Sequence, residues 1–341
     1  MMVSERFQRQ ALFYGVGPEG QRRLQASRVA VMGCGALGSV LASILVRAGV
    51  GFLRIVDRDF IERSNLQRQM LFDEEDIAKN LPKAVAAAEK LRAANPEAVV
   101  EARVADLNPA TVEALCEGVD LVLDGLDNFE ARYVLNDACV KRGLPWIYAA
   151  ALGSHGLTMV VRPGQTPCLR CLFPDPPAPG TVETCDTAGV IGPGVGVVAS
   201  YAAAEALKLL VGAEEKLHRG LLWIDVWENG YQHTPLDGPL PGCPSCQERR
   251  FEFLNPRQAT RTADLCGRNA VQIVVPGQHA LSLADLAARL GVVGRVVVNE
   301  HMLRCALGEH ELVVFPDGRA IVKGTTDPAV ARGLYARYVG L

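Results

Sequence analysis

The chain has 341 residues, 49% of them hydrophobic and 21% charged, with a formal net charge of −3. That length suits one large domain plus a small one, with apolar residues enough for a sizeable core. A charge so near balance gives no electrostatic case for nucleic acid or an anionic membrane as the main partner.

Met1 to Gln10 is charged and lacks the apolar run of a secretory signal, so the expected location is the cytoplasm. In chain order, Arg28–Met32 is an apolar run ended by Gly33, Ala36–Ala48 has helical texture, and Phe52–Val56 reads as a second strand. Together they form a βαβ unit with a right-handed crossover. Further strand-like runs lie at Val99–Val104, Leu121–Leu123 and Trp146–Ala149, with helical patterns at Lys83–Ala94, Pro109–Glu117 and Phe129–Lys141. This alternation predicts an α/β fold: a doubly wound, mostly parallel, Rossmann-like sheet covered by helices on both faces.

From Leu157 the texture changes. Leu157–Val161 reads as a strand outside the βα repeat, and Phe173–Gly180 as a proline-rich loop. Val195–Leu210 reads as a buried helix. The apolar stretch around it, Ala188–Gly212, contains Pro193, Glu205 and Lys208, which argues against a membrane span. Leu221–Val226 and Tyr231–Pro235 look like two more strands, and the chain leaves the first domain near Phe251–Arg261. Beyond it come a strand at Val271–Val275, a helix at Leu283–Leu290, and strands near Val296–Val298, Leu312–Phe315 and Ala320–Val322. Asp317-Gly318 is a hairpin signal, and Asp327 can cap a last helix running to Tyr338. The expected division is a large domain over residues 1–250 and a small α/β domain over 256–341.

Gly33-Cys34-Gly35-Ala36-Leu37-Gly38 is a G-x-G-x-x-G turn between a strand and a helix. Gly33, Gly35 and Gly38 permit a tight turn and close backbone approach to phosphate at a helix N-terminus. Asp57 ends the next strand, where a carboxylate can bind ribose hydroxyls. The motif alone does not separate a dinucleotide from ATP. Asn65-Leu66-Gln67-Arg68-Gln69 and Pro82-Lys83 add an amide, a guanidinium and an ammonium near the same edge, as a triphosphate and a departing pyrophosphate require. Asp127 follows another strand, where it can hold Mg²⁺ on ATP phosphates or simply cap the helix at Phe129. Asp124 sits further into that strand and is the weaker candidate.

Ten cysteines in a chain of this kind point to metal or sulfur chemistry rather than to a disulfide framework. Cys168-Leu169-Arg170-Cys171 and Cys243-Pro244-Ser245-Cys246 can close a four-thiolate structural Zn²⁺ site. Cys185 stands apart, after the proline-rich loop and before a helix. There it is either an acidified, reactive thiol or a small buried residue. Cys34, Cys116, Cys139, Cys266 and Cys305 read as core or incidental.

These motifs, together with Arg6-Phe7-Gln8-Arg9-Gln10, resemble in order the ThiF/MoeB/HesA family of adenylyltransferases, bacterial relatives of ubiquitin-activating enzymes. The resemblance covers Arg6 to Gln247. It implies a homodimer in which ATP lies on the glycine turn with Asp57 on the ribose. Asn65, Arg68 and Lys83 would hold the phosphates, Asp127 would hold Mg²⁺, and Arg9 would reach into the partner's site. The substrate implied is the Gly-Gly tail of a ubiquitin-like sulfur carrier of the ThiS or MoaD kind, threaded under a crossover around Phe173–Thr184. Cys185 would permit sulfur transfer, with a cysteine desulfurase or another sulfur donor as a further partner. The segment from about Pro256 is absent from the shortest family members.

Three rival readings share parts of this pattern. A nicotinamide-dependent oxidoreductase shares the glycine turn and Asp57 but has no use for the cationic set. A non-catalytic partner-binding module need not have kept Arg9, Arg68, Lys83 and Asp127. An enzyme activating another carboxylate or a tRNA base shares the site, although tRNA-modifying relatives generally lack the zinc cysteines.

Overall fold

The structure, a computed structural model, describes residues 4–176, 188–255, 262–265, 269–274 and 281–339. Cys185, Cys266, most of the Phe173–Thr184 segment and the exit past Asn255 therefore lie outside the described residues. The chain divides into two compact units, parted near residue 258.

In the first unit the order is α1 (Gln8–Leu12), α2 (Gly17–Ala26), β1 (Arg28–Met32), α3 (Ala36–Ala48), β2 (Phe52–Val56), α4 (Glu74–Ala78), α5 (Lys83–Ala94) and β3 (Val99–Arg103). Then come α6 (Val112–Leu115), β4 (Leu121–Asp124), α7 (Phe129–Arg142), β5 (Trp146–Leu152), β6 (His155–Val161), α8 (Leu169–Leu172), α9 (Gly192–Val211), β7 (Gly220–Asp225) and β8 (Gly230–Pro235). Eight strands form one sheet in the order β3-β2-β1-β4-β5-β6-β7-β8. The first five are parallel, and β6, β7 and β8 join antiparallel.

The two-residue period of the strands sorts the core onto two faces. Val29 and Val31 of β1 join one apolar cluster with α3, α5 and α9; Ala30 and Met32 join the other with α6 and α7. The chain winds outward from β1 to β3 and then returns to place β4 beside β1. The C-terminal ends of β1 and β4 therefore flank the switch point where open α/β sheets bind ligands.

α9 is long and apolar enough to cross a membrane by length and composition. Its Val195, Val198, Ala199, Ala202 and Ala206 instead pack into the core with α3. The expected Pro109–Glu117 helix is reduced to α6. Asn108 Oδ1 accepts the Ala110 N–H at 2.9 Å and Thr111 Oγ1 donates to the Asp106 carbonyl at 2.6 Å, so local side-chain bonds replace the helix's first turn.

In the second unit, β9 (Thr262–Asp264), β10 (Ala270–Ile273), α10 (Leu283–Leu290), β11 (Arg295–Val298), β12 (Leu303–Leu307), β13 (His310–Val314), β14 (Ala320–Lys323) and α11 (Pro328–Tyr338) follow. Six strands form an antiparallel sheet in the order β11-β12-β13-β14-β10-β9. Its core joins Leu286 and Leu290 of α10 with Ala331 and Tyr335 of α11. The strand-like run around Cys305 is β12, which pairs with β11 and β13.

Candidate active site

The glycine turn sits at the switch point and is tightly packed at Gly33 and Gly38. Gly33 has φ +88°, and its N–H donates to the Val56 carbonyl at 2.7 Å. A Cβ on Gly33 would collide with the Gly125 carbonyl, and one on Gly38 with the Gly33 carbonyl. Gly35 is the N-cap of α3 and supplies no side chain, so no side chain caps the start of that helix. Such a terminus attracts anions.

Asp57 stands at the end of β2 and is tied to backbone by both oxygens. Oδ2 accepts the Cys34 N–H at 2.6 Å and Oδ1 the Asp59 N–H at 2.7 Å. Burial pushes its carboxyl above the usual range, with Lys83 pulling the other way. Lys83 opens α5 with only 2% exposure. Its Nζ lies 3.2 Å from Asp59 Oδ2, and its N–H donates to the Asp59 carbonyl at 2.9 Å. Asp59 was absent from the residues expected from the sequence, although the Asp57-x-Asp59 spacing at a strand end was there to be read. Arg58 lies between them, 2.7 Å from Asp106 and 3.9 Å from Asp59.

Asn65 is buried at the end of a short 3-10 turn, and its Oδ1 accepts the Glu62 N–H at 3.2 Å. Gln69 is 3% exposed, and its Nε2 lies against Gly35. Arg68 bonds back to the Ser64 carbonyl at 2.9 Å, at the rim of this group.

Asp127 is exposed on the turn after β4. The helix cap is Asn128, whose Oδ1 accepts the Ala131 N–H at 2.9 Å, so capping does not account for Asp127. Asp124 is fully buried and bound to Arg132 at 2.9 Å. Its work is inside the fold.

Arg9 does not join this group. It is exposed on α1, whose Gln10 Nε2 donates to the Ala48 carbonyl at the last residue of α3. A helix of that length spans about 20 Å, so Arg9 stands at the opposite end of α3 from the glycine turn.

The four paired cysteines come together in the first unit. Cys168 and Cys243 sulfurs are 3.6 Å apart, Cys171 and Cys246 3.4 Å, and Cys168 and Cys171 3.9 Å. All four lie within 4.8 Å of one another. A tetrahedron of Zn–S bonds has S···S edges of about 3.8 Å, and a disulfide needs about 2.05 Å, so the arrangement fits a metal and no disulfide. α7 supports both knuckles through buried polar groups. Asn136 Oδ1 accepts the Leu169 N–H at 3.0 Å, and Asp137 Oδ1 accepts from Ser245 Oγ at 2.7 Å.

The family model for the ThiF family matches residues 7–245. A sulfur carrier protein ThiS adenylyltransferase of Bacillus subtilis is 42% identical over 340 residues, covering 99% of this chain and 100% of its own. A sulfur carrier protein adenylyltransferase of Thermus thermophilus is 41% identical over 247 residues, covering 71% of this chain and 90% of its own. Among solved structures, E. coli MccB with ATP superposes with a TM-score of 0.62 at 25% identity, covering 72% of this chain and 75% of that one.

Proposed function

We propose that this chain, which belongs to the ThiF family, uses MgATP to adenylate the C-terminal glycine carboxylate of a ThiS-type ubiquitin-like sulfur carrier. The observation that carries this reading is the crevice at the β1–β4 switch point. An uncapped helix terminus, the Asp57 carboxylate and the buried Lys83 ammonium converge there, with Asp127 on the adjoining turn. Support for a ThiS-type carrier comes from the Bacillus subtilis relative, which aligns through the second unit, whereas the Thermus thermophilus relative matches 71% of the chain.

A carboxylate is a poor electrophile and must gain a leaving group before sulfur can be added. In the proposed step a carboxylate oxygen attacks the α-phosphorus, the bond to the bridging α–β oxygen breaks, and pyrophosphate departs with that electron pair. No protein nucleophile and no proton transfer are needed. Positioning and charge neutralisation are. Asp57 would accept hydrogen bonds from the ribose hydroxyls, while Asn65, Lys83 and the α3 terminus hold phosphate oxygens. Mg²⁺, when bound at Asp127, supplies further neutralisation of the phosphates. Arg9 is too far along α3 to serve its own crevice, which supports a homodimer in which it serves the partner's. Zn²⁺ on Cys168, Cys171, Cys243 and Cys246 has a structural role.

The test is ATP–pyrophosphate exchange with Mg²⁺ and purified ThiS-like and MoaD-like carriers. Exchange that needs a carrier and vanishes without its last glycine is expected. Nucleotide binding without exchange on any carrier would move the reading to another carboxylate or to a binding role. Cys185→Ser should leave exchange intact; if it also leaves sulfur transfer from a cysteine desulfurase intact, Cys185 is not the reactive thiol.

A further inference from the structure

The turn that carries Asp127 is held from inside the fold by two side chains, Asp124 and Arg132. Asp124 Oδ1 accepts the Leu126 N–H at 2.8 Å, and its Oδ2 accepts from Arg132 Nε at 2.9 Å. The same guanidinium donates through Nη2 to the Leu126 carbonyl at 2.6 Å and to the Ala149 carbonyl of β5 at 3.3 Å. Aromatic rings flank it, Tyr148 at 5.5 Å and Phe129 at 5.8 Å. The opposite wall of the turn is equally fixed. Gly125 N–H donates to the Met32 carbonyl at 2.7 Å, and a Cβ on Gly125 would strike the Gly33 carbonyl. Arg132 therefore clamps the peptide that directly precedes Asp127, while Asn128 directly after it caps α7.

We propose that Arg132 is a positioning residue: its planar fork, shared between Asp124 and the Leu126 carbonyl, aims the Asp127 carboxylate at the Mg²⁺ that accompanies the nucleotide. The proposal rests on Asp127 being the metal carboxylate of the functional reading above. It distinguishes Arg132 from a simple buried ion pair, because a lysine can pair with Asp124 yet cannot reach both acceptors in one plane.

The experiment is calorimetric titration of the full chain with the non-hydrolysable analogue AMPCPP, with and without Mg²⁺ and with no carrier present. Failure of the unaltered protein to bind the analogue sinks the functional reading and this proposal with it. If the unaltered protein binds and Mg²⁺ tightens binding, the outcome for Arg132 is separate. Arg132→Lys should retain Mg²⁺-free affinity while the half-saturating Mg²⁺ concentration rises about 10–100-fold, the usual cost of loosening a metal ligand's support. Unchanged Mg²⁺ dependence, or equal loss of Mg²⁺-free and Mg²⁺-supported binding, overturns the proposal. Asp124→Asn combined with Arg132→Met leaves no orphaned buried charge and keeps the test open should the single variant not fold. A merely structural pair predicts restored Mg²⁺ dependence in that double variant; the proposal predicts that it stays weakened.

Discussion

Lys83 is buried to 2% exposure beside Asp59, an arrangement that costs desolvation of two charges. In the proposed reading a phosphate oxygen would share the Lys83 ammonium with Asp59. Asp127 and Asn128, neighbours in sequence, divide their tasks: one is exposed and the other caps α7. Asp127→Ala should lower pyrophosphate exchange by about 10²–10³-fold, the size of effect seen when one transition-state charge contact is lost. Its thermal midpoint and metal content should stay unchanged. Asn128→Ala should lower unfolding free energy by about 1 kcal/mol, measured by urea denaturation. Stability loss in the first variant, or none in the second, would show that the roles are misassigned. Asp57, Lys83 and the three glycines were legible in the sequence because each sits at a strand end or helix start that periodicity locates. Asp59 and Arg132 were not read. Their significance depends on which strand ends become neighbours and which carbonyls a buried guanidinium can reach.

At the scale of elements, short apolar runs alternating with helical patterns carried the reading. β1, β2, α3 and α5 have the bounds expected: β1 and β2 are short apolar runs buried almost throughout, and α3 and α5 are longer helical patterns. α1 and α2 were not read as helices, since α2 buries Gly20, Gln21 and Leu24 rather than an apolar stripe. Gln21 works by hydrogen bonding, its Nε2 donating to the Ala48 carbonyl at 3.0 Å. Sheet register also places Arg54 directly opposite Glu101 on β2 and β3, with a bond of 2.7 Å. Burial pushes the Glu101 carboxyl up, but Arg54 and Arg103 outweigh it and leave it below its ordinary value. A carboxyl depressed in the folded state contributes stability above its unfolded pKa and loses that contribution as pH falls through the folded value. Glu101→Gln should therefore cost about 0.2–1 kcal/mol at pH 7, a difference that begins to shrink below about pH 4 and closes once pH falls beneath the lowered folded value. A difference that persists in acid would exclude the ion pair as its source.

At the scale of the whole molecule, the four-cysteine cluster was legible because a C-x₂-C spacing keeps its meaning whatever lies between the pairs. Its support by Asn136 and Asp137 was not legible, since two polar residues inside a helical pattern look solvent-facing until the fold surrounds them. Metal analysis should find one zinc per chain. Removing it with a chelator should lower the thermal midpoint and expose residues 243–255 to proteases before α7 is attacked. Retention of full stability after zinc loss would make the cluster incidental.

Cys168 and Cys243 lie 75 residues apart in sequence, so a metal on the cluster makes that stretch a closed ring. A ring cut once is still connected. A protease cleavage anywhere between Cys171 and Cys243 should give two fragments on a denaturing gel that nonetheless elute together in native buffer, with the far fragment freed more readily once a chelator is added. The strand pairs between β5, β6 and β7 would also resist separation, so the measurable quantity is how much sooner the pieces part without zinc. Such a closure would let the chain between the two cysteine pairs be severed or rebuilt while both sides of the break stay joined.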